Sequence, residues 1–313
     1  MMDADTATTL VGRPVTRVDR MSGGVNNPTY EFACEDGWVG ILQLISPRYP
    51  KKAEREENIA SYLSEMKIPV ARIIRSDTSK TLIETDYIIK ERLPGTTLRD
   101  SKIPREHVAR LYEQIGSILN RMHAVRFGSF GELEFTGTNP EVRSEKPTYR
   151  EAAYEELRAY IEAPTPFSSY REALLEWIEE NIGVFGAEIT PRLTHNDFAN
   201  TNIMVESGTV TGIIDFDNLA SSNPIYDLYR LHHHLEPSLT PLALEGFSRT
   251  YTHELPDNFD EHVSFYLTTH CLAYLGCWQG IEDTYEPEEL ERFTETIHED
   301  IRTLLTRSYT HEP

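Results

Sequence analysis

The sequence predicts an α+β fold with two lobes: a small antiparallel strand-rich lobe at residues 1–93 and a larger, mostly helical lobe at residues 94–313. Alternating apolar and polar residues, the pattern of half-buried strands, dominate the first part of the chain. The dipeptide Pro94-Gly95 then interrupts the pattern, as turn-forming residues do between structural units. After it, apolar residues recur mostly at helical spacing. A chain of 313 residues is also long enough for two such units.

The N-terminal lobe is predicted to contain four strands and one helix. Short runs of strand-forming residues indicate strands at residues 15–19, 29–33, 38–44 and 81–93. The second and third strands are joined by Glu35-Asp36-Gly37, which is a hairpin signal. Apolar residues at helical spacing predict the helix at residues 52–66. A cluster of turn formers at residues 22–28 precedes the second strand.

The C-terminal lobe is predicted to be helical except in two places. Helical spacing of apolar residues is found at residues 107–123, 149–161, 170–182, 225–235, 242–252, 262–278 and 287–306. Residues 127–147 lack such spacing and are predicted to form a loop that shapes a substrate pocket. Residues 193–217 return to a strand pattern, and the polar residues of greatest chemical interest lie there.

The chain is strongly acidic, with 51 Asp and Glu residues against 30 Lys and Arg and a net charge of −21. Nucleic-acid binding is not expected, because contacts to phosphates need a basic surface. The acidic residues are spread along the chain, and lysine is scarce relative to arginine. Such a surface suits a salt-rich cytoplasm, where charge repulsion is screened over a few ångströms. We therefore predict a salt-adapted protein that loses stability on dialysis to low salt.

Membrane insertion and export are not expected. No apolar run reaches the roughly 18 residues that a membrane helix requires. The first nine residues lack the basic start and apolar core of a signal peptide. The three cysteines, Cys34, Cys271 and Cys277, do not form a disulfide framework or a metal-ligand pattern. The expected location is the cytoplasm, and the sequence leaves the oligomeric state open.

A predicted hairpin brings polar side chains together within the strand-like segment. Ser207-Gly208 forms a two-residue turn between two strand candidates, and such a turn fixes the pairing of the strands. Asn202 should then lie opposite residue 213, and residue 200 opposite Asp215. Directly opposed residues have Cβ atoms about 5 Å apart. Asn202 and Asp215 are therefore expected close together at the open end of the hairpin.

Asp197 lies just before this hairpin, so that three oxygen-bearing side chains are predicted to converge. Mg²⁺ takes oxygen ligands from one or two carboxylates and completes its shell with phosphates and water. Phosphoryl transfer needs such metals to neutralise phosphate charge, and a carboxylate to orient the attacking hydroxyl. The segment is therefore predicted to be a magnesium-dependent phosphoryl-transfer centre.

The same residues carry a family resemblance. The pattern His195-x-Asp197-x-x-x-x-Asn202, followed by Ile214-Asp215, looks like the catalytic loop and metal-binding aspartate of the aminoglycoside phosphotransferase and choline kinase group. That group has the protein-kinase-like fold. Other segments resemble it in consistent order along about residues 10–235, namely residues 22–27, 55–57, 68–70, 87–95, 119–123 and 223–228.

The resemblance implies an ATP-dependent kinase that uses Mg²⁺ and phosphorylates a hydroxyl group of a small molecule. Asp197 would be the catalytic base or substrate-orienting carboxylate, and His195 would brace its loop. Asp227 would support that loop from the following helix, while Asn202 and Asp215 would bind magnesium. A glycine loop, the third strand, the first helix and an adenine-binding hinge would hold the nucleotide through Gly23, Gly24, Asn26, Gln43, Glu56, Glu91 and Leu93.

One position departs from the family pattern. The third strand of that group usually carries a lysine that contacts the phosphates and pairs with a helix glutamate, whereas Gln43 stands there in this chain. Glu56 then lacks its usual partner, and Lys51 or Lys52 could approach the phosphates instead. Gln43 motivates an alternative, a non-catalytic kinase-like nucleotide-binding or regulatory protein.

A protein kinase ranks third among the hypotheses. Pro224 follows Asp215 by only nine positions, which leaves little room for a long segment that docks a peptide. The acceptor molecule stays open, because aminoglycosides, other antibiotics, amino sugars, homoserine, choline-like alcohols and fructosamines are all accepted within the group. Specificity is expected in residues 127–147 and in the helices after residue 235.

Overall fold

The computed structural model describes residues 2–21, 27–49, 51–137, 139–186, 188–232 and 235–307. Its α-helices are α1 (Ala4–Val11), α2 (Lys52–Glu65), α3 (Arg105–Ala124), α4 (Tyr149–Glu162), α5 (Arg171–Asn181), α6 (Ile225–His232), α7 (Thr240–Ser248), α8 (Phe259–Gly276), α9 (Trp278–Glu282) and α10 (Pro287–Leu305). Its strands are β1 (Val15–Arg20), β2 (Thr29–Cys34), β3 (Val39–Leu44), β4 (Ile73–Asp77), β5 (Tyr87–Glu91), β6 (Thr96–Thr97), β7 (Phe130–Thr136), β8 (Asn139–Lys146), β9 (Arg192–Thr194), β10 (Ile203–Glu206), β11 (Thr209–Ile213) and β12 (Ala220–Ser222).

The N-terminal part is built on a five-stranded antiparallel sheet in the order β1-β2-β3-β5-β4. Alternate residues of a strand point to opposite faces, so the two faces of this sheet have separate partners. Leu42 and Ile89 pack in one cluster with Leu10 of α1. Ile88, on the other face, packs with Ala53 of α2. The sheet is therefore covered by one helix on each face.

Two elements of this part were not anticipated from the sequence. Helix α1 begins after Asp3, whose carboxylate accepts a 2.7 Å hydrogen bond from the Thr6 amide, and it buries Ala7 and Leu10. Only two of its eight residues are buried, too few for a clear periodic signal. Strand β4 was missed, and the strand predicted at 81–93 is shorter, Tyr87–Glu91.

The C-terminal part is mostly helical and has two large apolar clusters. One forms around α4, α5, α8 and α10, and the other forms around α3 and the strands that follow it. The central helix α3 is buried along one side through residues spaced at three to four positions, including Val108, Leu111, Ile115 and Leu119. None of the helices in the described part combines the length and apolar character that crossing a bilayer requires.

The prediction of a loop at residues 127–147 is wrong. Strands β7 and β8 pair there as an antiparallel hairpin and join β12 and β9 in a four-stranded sheet. On β7, Phe130, Leu133 and Phe135 are buried, but a register shift near the start of the strand breaks the strict alternation. Strand β8 is mainly exposed and charged, so it presents no apolar face to the sequence pattern.

The register predicted for the hairpin β10–β11 is wrong by one residue near its open end. The two-residue turn is correct, since Glu206 pairs with Thr209 and Val205 with Val210. A bulge then shifts the pairing, so that Ile203 lies opposite Ile213. Asn202 consequently faces residue 214 instead of residue 213, and its carbonyl accepts a 3.0 Å hydrogen bond from the Ile214 amide. A bulge adds one residue to one strand, which a turn-based argument cannot foresee.

Candidate active site

A loop at residues 195–202 connects β9 to β10, and Asp227 of α6 lies beneath it. The Asp227 carboxylate accepts hydrogen bonds of 2.9 Å from the backbone amides of His195 and Asn196. It also contacts Nε2 of His123 at 3.1 Å, and both side chains are fully buried. These bonds stabilise the loop. Asn196 in this loop has a left-handed φ of 59°, a conformation that asparagine adopts more readily than most residues. Asp227 thus supports the loop from the following helix, as predicted.

His195 lies behind the loop and is fully buried. Its Nε2 is 3.0 Å from the carbonyl oxygen of Ile214, which precedes Asp215. Because a carbonyl only accepts, this bond requires the tautomer with hydrogen on Nε2. The imidazole also packs against the rings of Phe198 and Phe216. His195 therefore ties the catalytic loop to the end of β11, and its burial makes it a positioning group.

Asp197 is held by two neighbours. The Asn202 amide nitrogen donates to its carboxylate at 3.0 Å and to its backbone carbonyl at 2.9 Å. Arg230 of α6 donates to the other carboxylate oxygen from Nε at 3.0 Å and from Nη2 at 2.5 Å. Such charge-assisted bonds are the strong ones, so the Asp197 carboxylate is well fixed.

The sequence analysis missed Arg230, although a signal was present. Arg230 lies three residues after Asp227 on α6 and four after Tyr226. Residues at these spacings share one face of a helix. The resemblance extends to about residue 235, but its last quoted segment, residues 223–228, stops just before Arg230, and one further helical turn would have placed a cation beside the loop at 195–202.

Asp215 lies two residues beyond the end of β11 and has a left-handed φ of 65°. Burial raises the pKa of this carboxyl above its usual range. The neighbouring Asp217 and Asp197 raise this pKa further, while His195 and Lys52 lower it. A buried carboxylate among other carboxylates is a fitting ligand for a cation, which would offset both the burial and the repulsion.

The donor set at this point fits Mg²⁺. Asn202 uses its amide nitrogen on Asp197, and its amide oxygen is the atom that a hard cation would take. Within the described ranges, no three or more His, Cys, Asp or Glu residues are grouped so as to hold a metal ion. Mg²⁺ does not need such a cage, because it usually keeps waters and binds substrate phosphates as well. Asn202 and Asp215 would therefore form a site completed by a nucleotide.

The nucleotide side is only partly described. Gly23, Gly24 and Asn26 lie outside the described residues. Gln43 lies on β3 directly opposite Thr29, the first residue of β2. Glu56, on α2, has a cationic partner after all: Lys90 of β5 donates to the Glu56 carboxylate and to Gln43 Oε1, the latter at 2.8 Å. The sequence analysis missed Lys90, because strands β3 and β5 are far apart in the chain.

The predicted hinge residues lie at the end of β5. The Glu91 amide donates to the Arg72 carbonyl at 2.9 Å, and the Glu91 carboxylate forms a 2.5 Å ion pair with Arg72. The Leu93 carbonyl accepts a 2.8 Å bond from the Arg92 guanidinium. Leu93 also packs closely over Gly212, where an added Cβ would collide with the leucine side chain. The segment that follows β5 thus contacts β11 of the hairpin β10–β11.

A pocket with a small cavity of about 30 Å³ lies between α4, α6 and α8. Half of the residues that line it are Tyr or Phe, namely Tyr149, Tyr160, Phe185, Tyr226, Phe265 and Tyr266. Arg230 connects this pocket to the Asp197 carboxylate, because its Nη1 lies 3.4 Å from Nδ1 of the lining residue His270. The lining includes no residue of 127–147, so the prediction that this segment shapes the pocket is not supported.

Glu156 of α4 contributes a carboxylate to the pocket. The Glu156 side chain is exposed to solvent but lies in the pocket, where the surrounding protein raises the pKa of its carboxyl. A 2.6 Å hydrogen bond from the Tyr160 hydroxyl to the Glu156 carboxylate lowers this pKa. A carboxylate next to aromatic faces is an environment that attracts an organic cation.

Comparison with known families identifies the chain. Residues 17–262, well over half of the sequence, match the model of the phosphotransferase enzyme family. The chain belongs to this family. The matched range includes the loop at 195–202, Asp215, Arg230 and the cluster of Gln43, Glu56 and Lys90, so the family assignment covers both halves of the site.

Curated relatives of this phosphotransferase-family chain carry a different name. It is 23% identical over 233 residues to acyl-CoA dehydrogenase family member 10 of Mus musculus, a match that spans 72% of this chain and 21% of that protein. It is 25% identical over 267 residues to acyl-CoA dehydrogenase family member 11 of Gallus gallus, spanning 80% of this chain and 32% of that protein. The chain therefore spans less than a third of these relatives, and the activity in their names is not assigned to it.

Solved structures of phosphotransferases share the fold. A thermostable mutant of aminoglycoside phosphotransferase APH(4)-Ia has a TM-score of 0.65 at 16% identity, with 96% of this chain and 99% of that one covered. Aminoglycoside phosphotransferase APH(2'')-Ib, solved with ADP, has a TM-score of 0.65 at 15% identity and 97% coverage of both chains. Macrolide 2'-phosphotransferase MphH of Brachybacterium faecium has a TM-score of 0.60 at 18% identity, with 98% and 99% covered. The predicted bilobal kinase-like fold is confirmed, whereas the boundary at residues 93/94 stays a prediction.

Proposed function

We propose that this chain is an ATP-dependent kinase that transfers the γ-phosphate to a hydroxyl group of a small molecule. The observation that carries the proposal is the Asp197 carboxylate, held between Asn202 and Arg230 beside an aromatic pocket. Membership of the phosphotransferase enzyme family supports the reaction class. A relative of the same fold was solved with ADP, which supports an adenine nucleotide as the donor.

Asp197 would orient the acceptor hydroxyl and take its hydrogen bond. Arg230 binds one carboxylate oxygen, and Asn202 binds the other. Each carboxylate oxygen has two lone-pair sites, so the oxygen bonded to Asn202 can accept one further hydrogen bond. A hydroxyl bound there would be aimed by a group that does not have to move, and correct positioning supplies much of the rate in phosphoryl transfer.

Asn202 and Asp215 would hold Mg²⁺, which would supply positive charge to offset that of the nucleotide phosphates. Asp227 and His195 would hold the two segments that carry these ligands in place, through the bonds to the loop amides and to the Ile214 carbonyl. Buried hydrogen bonds of this kind give the preorganised environment on which electrostatic catalysis depends.

The aromatic pocket would bind the acceptor. Glu156 and the surrounding tyrosines favour a compact acceptor that carries a positively charged group as well as its hydroxyl. We also propose a cytoplasmic, salt-rich setting on the strength of the net charge of −21.

The test is an ATP-consumption screen in high potassium chloride, with Mg²⁺, over pairs of small hydroxyl compounds. Each pair would consist of an amino alcohol and the matching alcohol without its amine. Expected is ADP release that depends on the acceptor and stops when Mg²⁺ is chelated. Binding of the nucleotide without turnover on any acceptor would favour the alternative, a non-catalytic kinase-like nucleotide-binding or regulatory protein.

A further inference from the structure

Three polar side chains meet on the α2-facing side of the N-terminal sheet, where β3, β5 and α2 come together. Lys90 donates to Gln43 at 2.8 Å and forms an ion pair with Glu56. The side chain of Lys90 is 17% exposed and that of Glu56 is 25% exposed. The cluster is thus shielded from most of the solvent but not closed.

The strand register explains why Lys90 can reach Gln43. Gln43 pairs with Ile88, and Ile41 pairs with Lys90. Residues two apart on a strand share a face, so Gln43 and Lys90 are diagonal neighbours on one face of the sheet. Long side chains bridge such diagonal pairs. The ammonium of Lys90 therefore lies beside the side chain of Gln43 on β3.

The cluster adjoins the segment expected to contact the nucleotide phosphates. Gln43 pairs with Thr29 at the start of β2, two residues after Asn27. The Asn27 side chain accepts a 2.8 Å bond from the Ser46 amide just beyond β3. Asn27 is therefore bound to the residue just beyond the end of β3, the strand that carries Gln43.

Glu56 retains an unused acceptor in this cluster. Its second carboxylate oxygen, Oε2, is buried and takes no hydrogen bond within the part of the chain that the structure describes. A buried ion pair whose remaining lone pairs are unsatisfied is a poor source of stability. The arrangement is better explained as a site that a polar ligand completes than as a packing device.

Lys52, the other lysine near the site, is already engaged elsewhere. It lies at the start of α2 and forms an ion pair with Asp217 of the catalytic segment. Lys52 therefore acts at the magnesium side, not at Gln43. The expectation that Lys51 or Lys52 approaches the phosphates stays a prediction.

We propose that Lys90 supplies from β5 the positive charge that binds the nucleotide phosphates, with Glu56 orienting its ammonium and Gln43 steadying it. The inference rests on the proposed nucleotide-dependent function. Kinases of this type place such a lysine on the third strand and pair it with a helix glutamate. Here the same charge would reach the same place from the neighbouring strand.

The test compares Lys90→Met with the exchange variant Lys90→Met/Gln43→Lys, which returns the lysine to β3. Binding of the magnesium complex of a non-hydrolysable ATP analogue, and separately of adenosine, would be measured by calorimetry. A charge-assisted contact contributes about 1.5–3 kcal/mol, so Lys90→Met should weaken analogue binding about 10- to 100-fold. Adenosine binding should stay unchanged, and the exchange variant should recover analogue binding. Lys102→Met, at an exposed lysine away from the cluster, is the matched control.

Two outcomes would overturn the inference: a folded Lys90→Met protein that binds the analogue as tightly as wild type, or equal losses for the analogue and adenosine. The second would assign Lys90 a structural role only. Because Lys90→Met leaves the Glu56 carboxylate without its cation, Glu56→Gln and Glu56→Gln/Lys90→Met provide the same comparison if the single variant does not fold. Wild-type protein that binds neither ligand would overturn the proposed function itself, and the inference with it.

Discussion

The two halves of the site are built in different ways. The catalytic half, around the loop at 195–202, is fixed by groups without solvent contact, since Asp227 and His123 are both fully buried. The nucleotide half, around Gln43, Glu56 and Lys90, depends on a partly exposed ion pair between a strand and a helix. The catalytic half keeps the family's sequence pattern. The nucleotide half keeps the positive charge of the family's lysine, but β5 carries it in place of β3.

This difference shows what each half requires. A base and a metal ligand must be positioned to within a fraction of an ångström, because the reacting atoms have to meet in line. A positive charge beside a phosphate has a looser requirement, because Coulomb attraction falls off slowly with distance inside a protein. A flexible lysine side chain can therefore be moved to a neighbouring strand, whereas Asp197 and Asn202 cannot.

The largest effect is expected from Asp197→Asn. This change keeps the shape of the side chain but removes the acceptor for the substrate hydroxyl and leaves Arg230 without its anionic partner. A general base contributes about 10²- to 10⁴-fold to the rate, and we expect kcat to fall within that range. Steady-state kinetics on the best acceptor would provide the value.

Nucleotide affinity is the control for Asp197→Asn, because a change in the catalytic half should leave binding at the nucleotide half unchanged. Binding of the ATP analogue is expected to stay within about twofold of wild type by calorimetry, a difference of less than 0.5 kcal/mol. A variant that keeps wild-type kcat would remove Asp197 from the mechanism. One that loses the nucleotide as well would mean that the two halves are not independent.

The comparison also predicts a stability difference, tested by Asp227→Asn. The buried Asp227 carboxylate accepts hydrogen bonds from two backbone amides and contacts His123. Asparagine has only one acceptor oxygen there, so its NH₂ group would face at least one of these buried N–H donors. Disrupting a fully buried charged hub costs about 3–5 kcal/mol. We expect thermal unfolding to begin at least about 5 °C lower.

Asp217→Asn is the matched control for that stability measurement, because Asp217 lies only ten positions before Asp227 but its side chain is 47% exposed. Its effect on the unfolding temperature should be small. Equal shifts for the two variants would show that burial does not distinguish the two positions. The comparison of a rigid and a tolerant half would then lose its physical basis.

Local signals in the sequence predict the catalytic half well, because its parts are close together in the chain. The turn at Ser207-Gly208 and the spacing from Asp197 to Asn202 are sufficient to bring this loop and the hairpin together. The bulge near Met204 escaped prediction because the register was counted from the turn, and such a count cannot foresee an added residue. Its consequence is small, since Asp215 still follows directly on the residue that faces Asn202.

The contacts that sequence reasoning missed are non-local. Lys90 meets Gln43 only because β5 lies beside β3 in the sheet. The sequences of the two strands do not reveal this order. Arg230 reaches Asp197 across 33 positions of sequence. The hairpin β7–β8 was taken for a loop because its outer strand is polar on most positions. In each case the tertiary neighbour decides the outcome.

A moderate effect is expected at the acceptor pocket from Glu156→Gln. The substitution keeps a hydrogen-bond acceptor for Tyr160 but removes the charge that would attract a cationic acceptor. A charged hydrogen bond is stronger than a neutral one by about 1–2 kcal/mol, so KM for an amino alcohol should rise about 5- to 30-fold. The matching alcohol without an amine should be affected much less. Equal changes for both acceptors would exclude Glu156 from recognising the amine.

The smallest effect is expected for Lys52 and Asp217, the ion pair that joins α2 on the nucleotide side to the catalytic segment. Lys52 is 11% exposed, but Asp217 is 47% exposed, so solvent weakens the attraction. A double-mutant cycle with Lys52→Met and Asp217→Asn should give a coupling energy below about 1 kcal/mol in unfolding experiments. Raising the salt concentration should reduce this coupling further, because the Debye length is only about 3 Å at 1 M. A coupling of several kcal/mol that persists in high salt would mean that this pair rigidly connects the two halves, and the nucleotide half would then share the positional constraint of the catalytic half.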